Sequence, residues 1–257
     1  MSIKRILAVV VVLALVLASV WAGFFYYDWK TTRVSFADPL ALEALEEDDA
    51  VEVSVDDWIV FRPRGSNPRA GFIFYPGGEC EAAGYAEPLH EIARAGFLVV
   101  LVPMPFYLAV LAPDRAESVI EAFPEIQQWA IGGHSLGGAM AARFAYRHPR
   151  RIDGLLLWDA YPPDTDDLST RSLSVILIHR ADDTGAMPDY YEKYLPLLPR
   201  HTQYSPVVGA SHINFGRFRP ARRFLDAPPA TIPIGVQHHQ IAAASINFLR
   251  GLPDEVN

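Results

Sequence analysis

The chain of 257 residues contains a single cysteine, Cys80. One thiol closes no disulfide within the chain and builds no cysteine-based zinc or iron–sulfur site. The fold must therefore stand on its apolar core. Basic charge is also short. The chain has 22 Lys and Arg against 30 Asp and Glu, a formal net charge of −8, which repels a phosphate backbone and argues against nucleic acid as a partner. The cluster Arg217, Arg219, Arg222 and Arg223 reads as a solvated loop, as isolated charge runs usually are. There is no internal repeat and no low-complexity tract. The low hydrophobicity of disordered chains is missing too, since 51% of the residues are apolar.

What is present starts with a long apolar run. Ile6 to Tyr27 carries no charge. As a helix it spans roughly 33 Å, enough to cross a hydrocarbon core. Lys4 and Arg5 precede it, and Trp21, Phe24, Phe25, Tyr26 and Tyr27 crowd its far end like an interfacial aromatic belt. The expectation is an uncleaved transmembrane signal anchor over residues 1–30, with the rest of the chain outside the cytoplasm. The alternative is a signal peptide cleaved near Val20-Trp21-Ala22, a poor match to a small-residue site. Residues 31–50, with Glu43, Glu46, Glu47, Asp48 and Asp49, read as an acidic stalk, and residues 51–257 as one domain.

Within that domain, strand-like and helix-like patterns alternate. Val51–Val55 and Trp58–Arg62 read as a short antiparallel pair. Apolar strand runs follow at 71–75, 97–102, 129–133, 152–158, 173–179 and 202–208. Helical spacing is expected at 85–95, 109–123, 136–146, 189–198 and 237–249, with Pro113 and Pro196 as interruptions. The stretch 217–233 reads as an irregular loop. Such alternation predicts an α/β fold: a mostly parallel sheet with helices on both faces.

The chemistry is carried by Gly133-His134-Ser135-Leu136-Gly137, a G-x-S-x-G between a strand and a small-residue helix. A sharp turn there lifts a serine hydroxyl above the sheet. Ser135 is the expected nucleophile, and it needs a base to take its proton. His212, in Gly209-Ala210-Ser211-His212 after a strand, has the right edge and chain order. His134, His148, His179, His201, His238 and His239 do not. The acid that orients the base should stand between them, and Asp182 and Asp183 follow the strand 173–179. Oxyanion N–H donors are expected from Leu136, after the nucleophile, and from Gly78 in Pro76-Gly77-Gly78. Cys80 lies past that loop but has no placed base.

The segments Phe74-Tyr75-Pro76-Gly77-Gly78, Gly132 to Gly138 and Gly209 to Gly216 resemble the α/β-hydrolase superfamily. In detail they resemble the "fold-5" group of bacterial α/β hydrolases. The resemblance runs from about Val51 to Leu249. It implies a Ser–Asp–His triad, an ester-type or related acyl substrate, and no cofactor. In that group the acid commonly stands third after a glycine that ends the strand. Arg180 aligns with the glycine, which favours Asp183 over Asp182. Arg217-Phe218-Arg219-Pro220 also departs from the group, where a tyrosine and glycine usually follow.

Phe106 and Tyr107 after one strand, and Trp158 and Tyr161 after another, are expected to line an apolar acyl pocket or to belong to the core. The absence of a long lid insertion favours small or surface-accessible esters. Two alternatives to a hydrolase stay open: an acyltransferase using the same serine, and a non-catalytic binding module.

Overall fold

The computed structural model describes residues 3–65, 67–219 and 229–253. Helix α1 (Ile3–Arg33) stands out from the domain with no buried residue. Its apolar window has a mean hydropathy of 2.8, long and apolar enough to cross a membrane. Strand β1 (Phe36–Ala37) and helix α2 (Pro39–Glu43) follow. Asp38 caps α2, its carboxylate accepting from Ala41 N–H at 2.8 Å. This supplies one of the helix's orphan donors with a partner. Residues 31–50, expected as a stalk, pack on the domain: Val34, Ser35, Ala37 and Ala41 are buried. Their acidic end is tied down by an Arg94–Asp48 ion pair.

The main sheet holds β2 (Val51–Val55), β3 (Ile59–Pro63), β4 (Ala70–Tyr75), β5 (Leu98–Leu101), β6 (Gln128–His134), β7 (Gly154–Trp158), β8 (Ser174–Ala181) and β9 (Gln203–Val208), in the order β2-β3-β5-β4-β6-β7-β8-β9. The hairpin β2–β3 is antiparallel, as is β3 to β5. All pairs from β5 to β9 are parallel. Helices α3 (Ala86–Arg94) and α6 (Ile234–Arg250) cover one face, and α4 (Ala116–Ala122) and α5 (Leu136–Arg147) the other. The two faces explain why the central strands are apolar throughout. In β4, Phe72 and Phe74 enter the core under α3 and α6, while Ile73 and Tyr75 enter the core under α5. A strand covered on both sides shows no polar alternation.

Three local expectations differ. The run 109–123 divides into a 3₁₀ turn and α4, because Pro113 has no N–H to continue a helix. The run 189–198 forms two 3₁₀ turns, Asp189–Lys193 and Leu195–Leu197, with Pro196 inside the second. The expected loop at 217–233 begins with a strand, β10 (Phe218–Arg219), paired antiparallel with β1. Residues 220–228 of that loop, with Arg222 and Arg223, lie outside the described residues.

The turn from β6 into α5 leaves no room for a Cβ at its glycines. A Cβ on Gly137 would stand 2.2 Å from the carbonyl oxygens of Tyr75 and Pro76. Those oxygens belong to the end of β4 and cannot step aside. Gly137→Ala should cost about 3 kcal/mol and lower Tm by roughly 6–12 °C, as read by thermal denaturation; an unchanged Tm would refute this packing.

Candidate active site

Five non-glycine residues among those described have positive φ: Glu79, Phe106, Tyr107, Ser135 and Asp159. They follow β4, β5, β5, β6 and β7 respectively. All five therefore lie at the carboxyl edge of the parallel sheet, where strained backbone gathers when a site must aim particular side chains.

Ser135 has φ 51° and ψ −122° and sits between the end of β6 and the start of α5. Its N–H donates to Trp158 O at 3.1 Å, which ties the turn to β7. The serine lines a cavity of about 670 Å³ together with Leu136, Asp159, Tyr161, Arg180, Tyr190 and His212. His212 starts the 3₁₀ turn Ile213–Phe215. Its Nδ1 lies 2.5 Å from Asp159 Oδ2, which leaves Nε2 as the ring nitrogen available to the cavity.

The carboxylate on His212 is thus Asp159, and the expectation for Asp183 is corrected. Asp183 is exposed in the turn after β8. Asp182 is spent on that turn, accepting from Thr184 N–H, Thr184 Oγ1–H and Ala186 N–H. Asp159 is buried after β7, one strand nearer the serine. It carries four hydrogen bonds. Oδ2 accepts from His212 and from Arg180 Nη1 at 2.5 Å, and Oδ1 accepts from Tyr191 Oη at 2.7 Å and Arg180 N at 3.3 Å. Burial alone would push its pKa up. The hydrogen bond and charge of His212, then Arg180 and Tyr191, outweigh burial and hold it down at about 2. Arg180 replaces the glycine that the resemblance expects, and its side chain bonds this carboxylate.

Sequence reasoning had a signal for Asp159. It follows an apolar strand that ends at the same sheet edge, and it preserves the order serine, acid, histidine. Arg180, Tyr190 and Tyr191 carried no comparable mark, because they reach the site from β8 and a 3₁₀ turn.

The turn after β4 faces the serine. Gly78, Leu136, Ser135 and His212 line a second cavity of about 310 Å³, and a Cβ on Gly78 would stand 2.9 Å from Leu136 Cδ2. A buried relay joins the two turns. Gly77 N–H donates to Tyr85 Oη at 3.0 Å, and the Tyr85 hydroxyl meets His134 Nδ1 at 2.8 Å. Burial, then the neighbouring His212, pushes the His134 pKa well below its ordinary value, so the ring is neutral and can accept. His134 therefore links the nucleophile turn to the glycine loop. Cys80 is buried, and burial pushes its thiol up to about 12, which leaves it protonated and unreactive.

The aromatic expectations divide. Trp158 is fully buried, its ring 4.5 Å from Phe74 and its indole N–H donating to Ser245 Oγ. It belongs to the core, because a strand residue preceding the edge points into the layer under α6. Phe106 is 61% exposed, and Tyr107 packs beside Trp29 and edge-on to Phe36. Neither of these two lines the larger cavity. Tyr161 does, with its ring stacked on Tyr194 at 3.8 Å.

Comparisons with known proteins bear on the fold and the family. No curated protein matches the sequence at a significant level. A predicted CIB-like hydrolase from Thermoplasma acidophilum superposes with a TM-score of 0.54 at 14% identity, covering 79% of this chain and 99% of its own. TT1662 from Thermus thermophilus gives 0.54 at 15%, covering 78% and 99%. A ferulic acid esterase from Streptomyces cinnamoneus gives 0.54 at 16%, covering 76% and 72%. At such identities these likenesses speak for the fold. The family model described as the alpha/beta hydrolase family matches residues 71–228, more than half of the chain, and the chain belongs to that family.

Proposed function

We propose that this hydrolase cleaves an ester-type acyl bond through a covalent acyl-enzyme on Ser135. The observation that carries the reading is the His212–Asp159 pair beside a serine held at positive φ. Asp159 fixes the imidazole with Nδ1 protonated, so Nε2 takes the proton of Ser135 as the hydroxyl attacks the substrate carbonyl. The developing oxyanion is met by the N–H of Leu136, at the N-terminus of α5, and by that of Gly78. His212 then returns the proton to the leaving group, and it activates the water that releases the acid. Tyr161 and Tyr190 give the larger cavity an apolar wall suited to the acyl or alcohol part of the substrate. The open cleft favours small or surface-accessible esters. In the same reading α1 is an uncleaved signal anchor, single-pass, with the hydrolase domain outside the cytoplasm. In support, the helix runs unbroken from Ile3 through the aromatic belt to Arg33.

A fluorophosphonate probe should label the folded full-length protein and spare Ser135→Ala and His212→Ala. Absence of labelling in the folded wild type would remove the proposal. Asp159→Asn should lower turnover of a short-chain ester by about 10⁴-fold, while Asp183→Asn leaves it unchanged. The reverse pattern would return the acid's role to Asp183.

The ionic state of Asp159 also has a stability consequence. A carboxylate whose folded pKa lies below its unfolded value stabilises the fold above the unfolded pKa, and that contribution is lost as pH falls through the folded one. The Tm difference between wild type and Asp159→Asn should be widest above about pH 4 and shrink as the pH falls toward about 2. A gap independent of pH would contradict the ion-pair account.

A further inference from the structure

The exit of α1 from its apolar stretch is built against the rim of the candidate site. The Tyr26 ring meets the Phe106 ring edge-on at 6.4 Å, and the Trp29 ring lies 6.4 Å from that of Tyr107. Trp29 donates its indole N–H to Glu79 Oε1 at 3.2 Å, and Arg33 pairs with the same carboxylate at 3.0 Å. Glu79 follows Gly78 directly and lines the smaller cavity beside Ser135. The strands of contact continue through Ser35, whose N–H donates to Glu79 O and whose carbonyl accepts from Glu81 N–H.

Beside this junction the segment 105–111 forms a lip. Leu108 points inward and lines the smaller cavity with Ser135 and His212. Phe106, Val110 and Leu111 point outward and are 61%, 47% and 56% exposed. Positive φ at Phe106 and Tyr107 turns the chain so that apolar side chains face away from the core. Depth along α1 follows from helix geometry. Tyr26 belongs to the aromatic belt, which sits at the headgroup level. Arg33 is seven residues further, roughly 10 Å along the axis, so the Glu79 contacts fall within or just beyond a headgroup layer of about 5–8 Å.

We propose that the lip Phe106–Leu111 seats in the lipid surface that α1 enters, so that the cleft draws an amphiphilic acyl substrate from the bilayer. The inference rests on α1 being a membrane anchor and, for the substrate, on Ser135 being the nucleophile. It deepens the open-cleft reading. The ester group of a membrane lipid or lipid-like acyl compound can reach Ser135 past Leu108 while its chain stays among the apolar side chains of the lip. A soluble ester would enter the same cleft without touching Val110 or Leu111.

The test uses the full chain in phosphatidylcholine–phosphatidylglycerol vesicles, with a nitroxide at Phe106→Cys or Leu111→Cys and a control at Tyr204→Cys, which is exposed on the edge strand β9. The native Cys80 is buried and stays unlabelled. Labels at 106 and 111 should relax more with oxygen than with a water-soluble nickel chelate, and the label at 204 the reverse. Nickel access at 111 equal to that at 204 overturns the proposal. Exclusion of both relaxants also overturns it, since that marks a protein partner or a second copy on the lip. In the second arm, Val110→Asn with Leu111→Asn should leave hydrolysis of a soluble short-chain ester unchanged and lower that of a vesicle-borne long-chain ester about tenfold. Equal loss on both substrates, or loss on neither, overturns the membrane-drawn substrate. A wild type inactive on both would remove the hydrolase reading, and the nitroxide depths would still decide the lip.

Discussion

A buried carboxylate needs partners, and the way Asp159 finds them organises the site. Burying a charge without compensation is strongly unfavourable. Asp159 is compensated from three directions: His212 after β9, Arg180 at the end of β8 and Tyr191 from the 3₁₀ turn beyond it. These elements are brought to one point by the parallel order β7-β8-β9. Arg180 acts twice, through its guanidinium and its own N–H. Its second guanidinium nitrogen donates to Tyr190 Oη at 2.9 Å, so the wall of the cavity is fixed by the same cation. The imidazole is therefore oriented by a rigid, charge-assisted network.

The sheet supplies the rest by direction. Parallel strands end at one edge, and turns at that edge can converge on a single point. Here the turns after β4, β6 and β7 converge, each with a non-glycine residue at positive φ. The strain persists because the turns are locked to one another. Ser135 N–H is bonded to Trp158 O, and Gly77 is bonded through Tyr85 to His134. Displacing the glycine loop would take the buried Gly77 N–H away from the Tyr85 hydroxyl that accepts from it, a costly event. The candidate site is thus preorganised by its backbone and by the buried side chains that tie the turns together.

The N-terminal region extends this order outward. The acidic stretch 31–50 is integrated through β1, α2 and the Asp48 contacts. The last turns of α1 grip Glu79, next to the glycine loop.

Much of this was legible in the sequence, for a physical reason. Strand runs, glycine turns and the serine turn are local: they depend on burial pattern and on backbone freedom within a few residues. Hence the parallel sheet, and the placement of the Ser135 turn and the His212 turn at its carboxyl edge, could be read directly. The carboxylate that pairs with His212 could not be. Asp159, Asp182 and Asp183 all follow strands, and only the packing of β7 against β8 decides which carboxylate His212 meets. Arg180 read as a departure from its relatives, whereas in three dimensions it is a ligand of Asp159. Trp158 and Phe106, given the same expectation, part ways for a similar reason: the first is buried in the core and the second is exposed. Which side of a sheet, or which side of a rim, an aromatic ring occupies depends on the helices covering it, and those contacts join residues far apart in the chain.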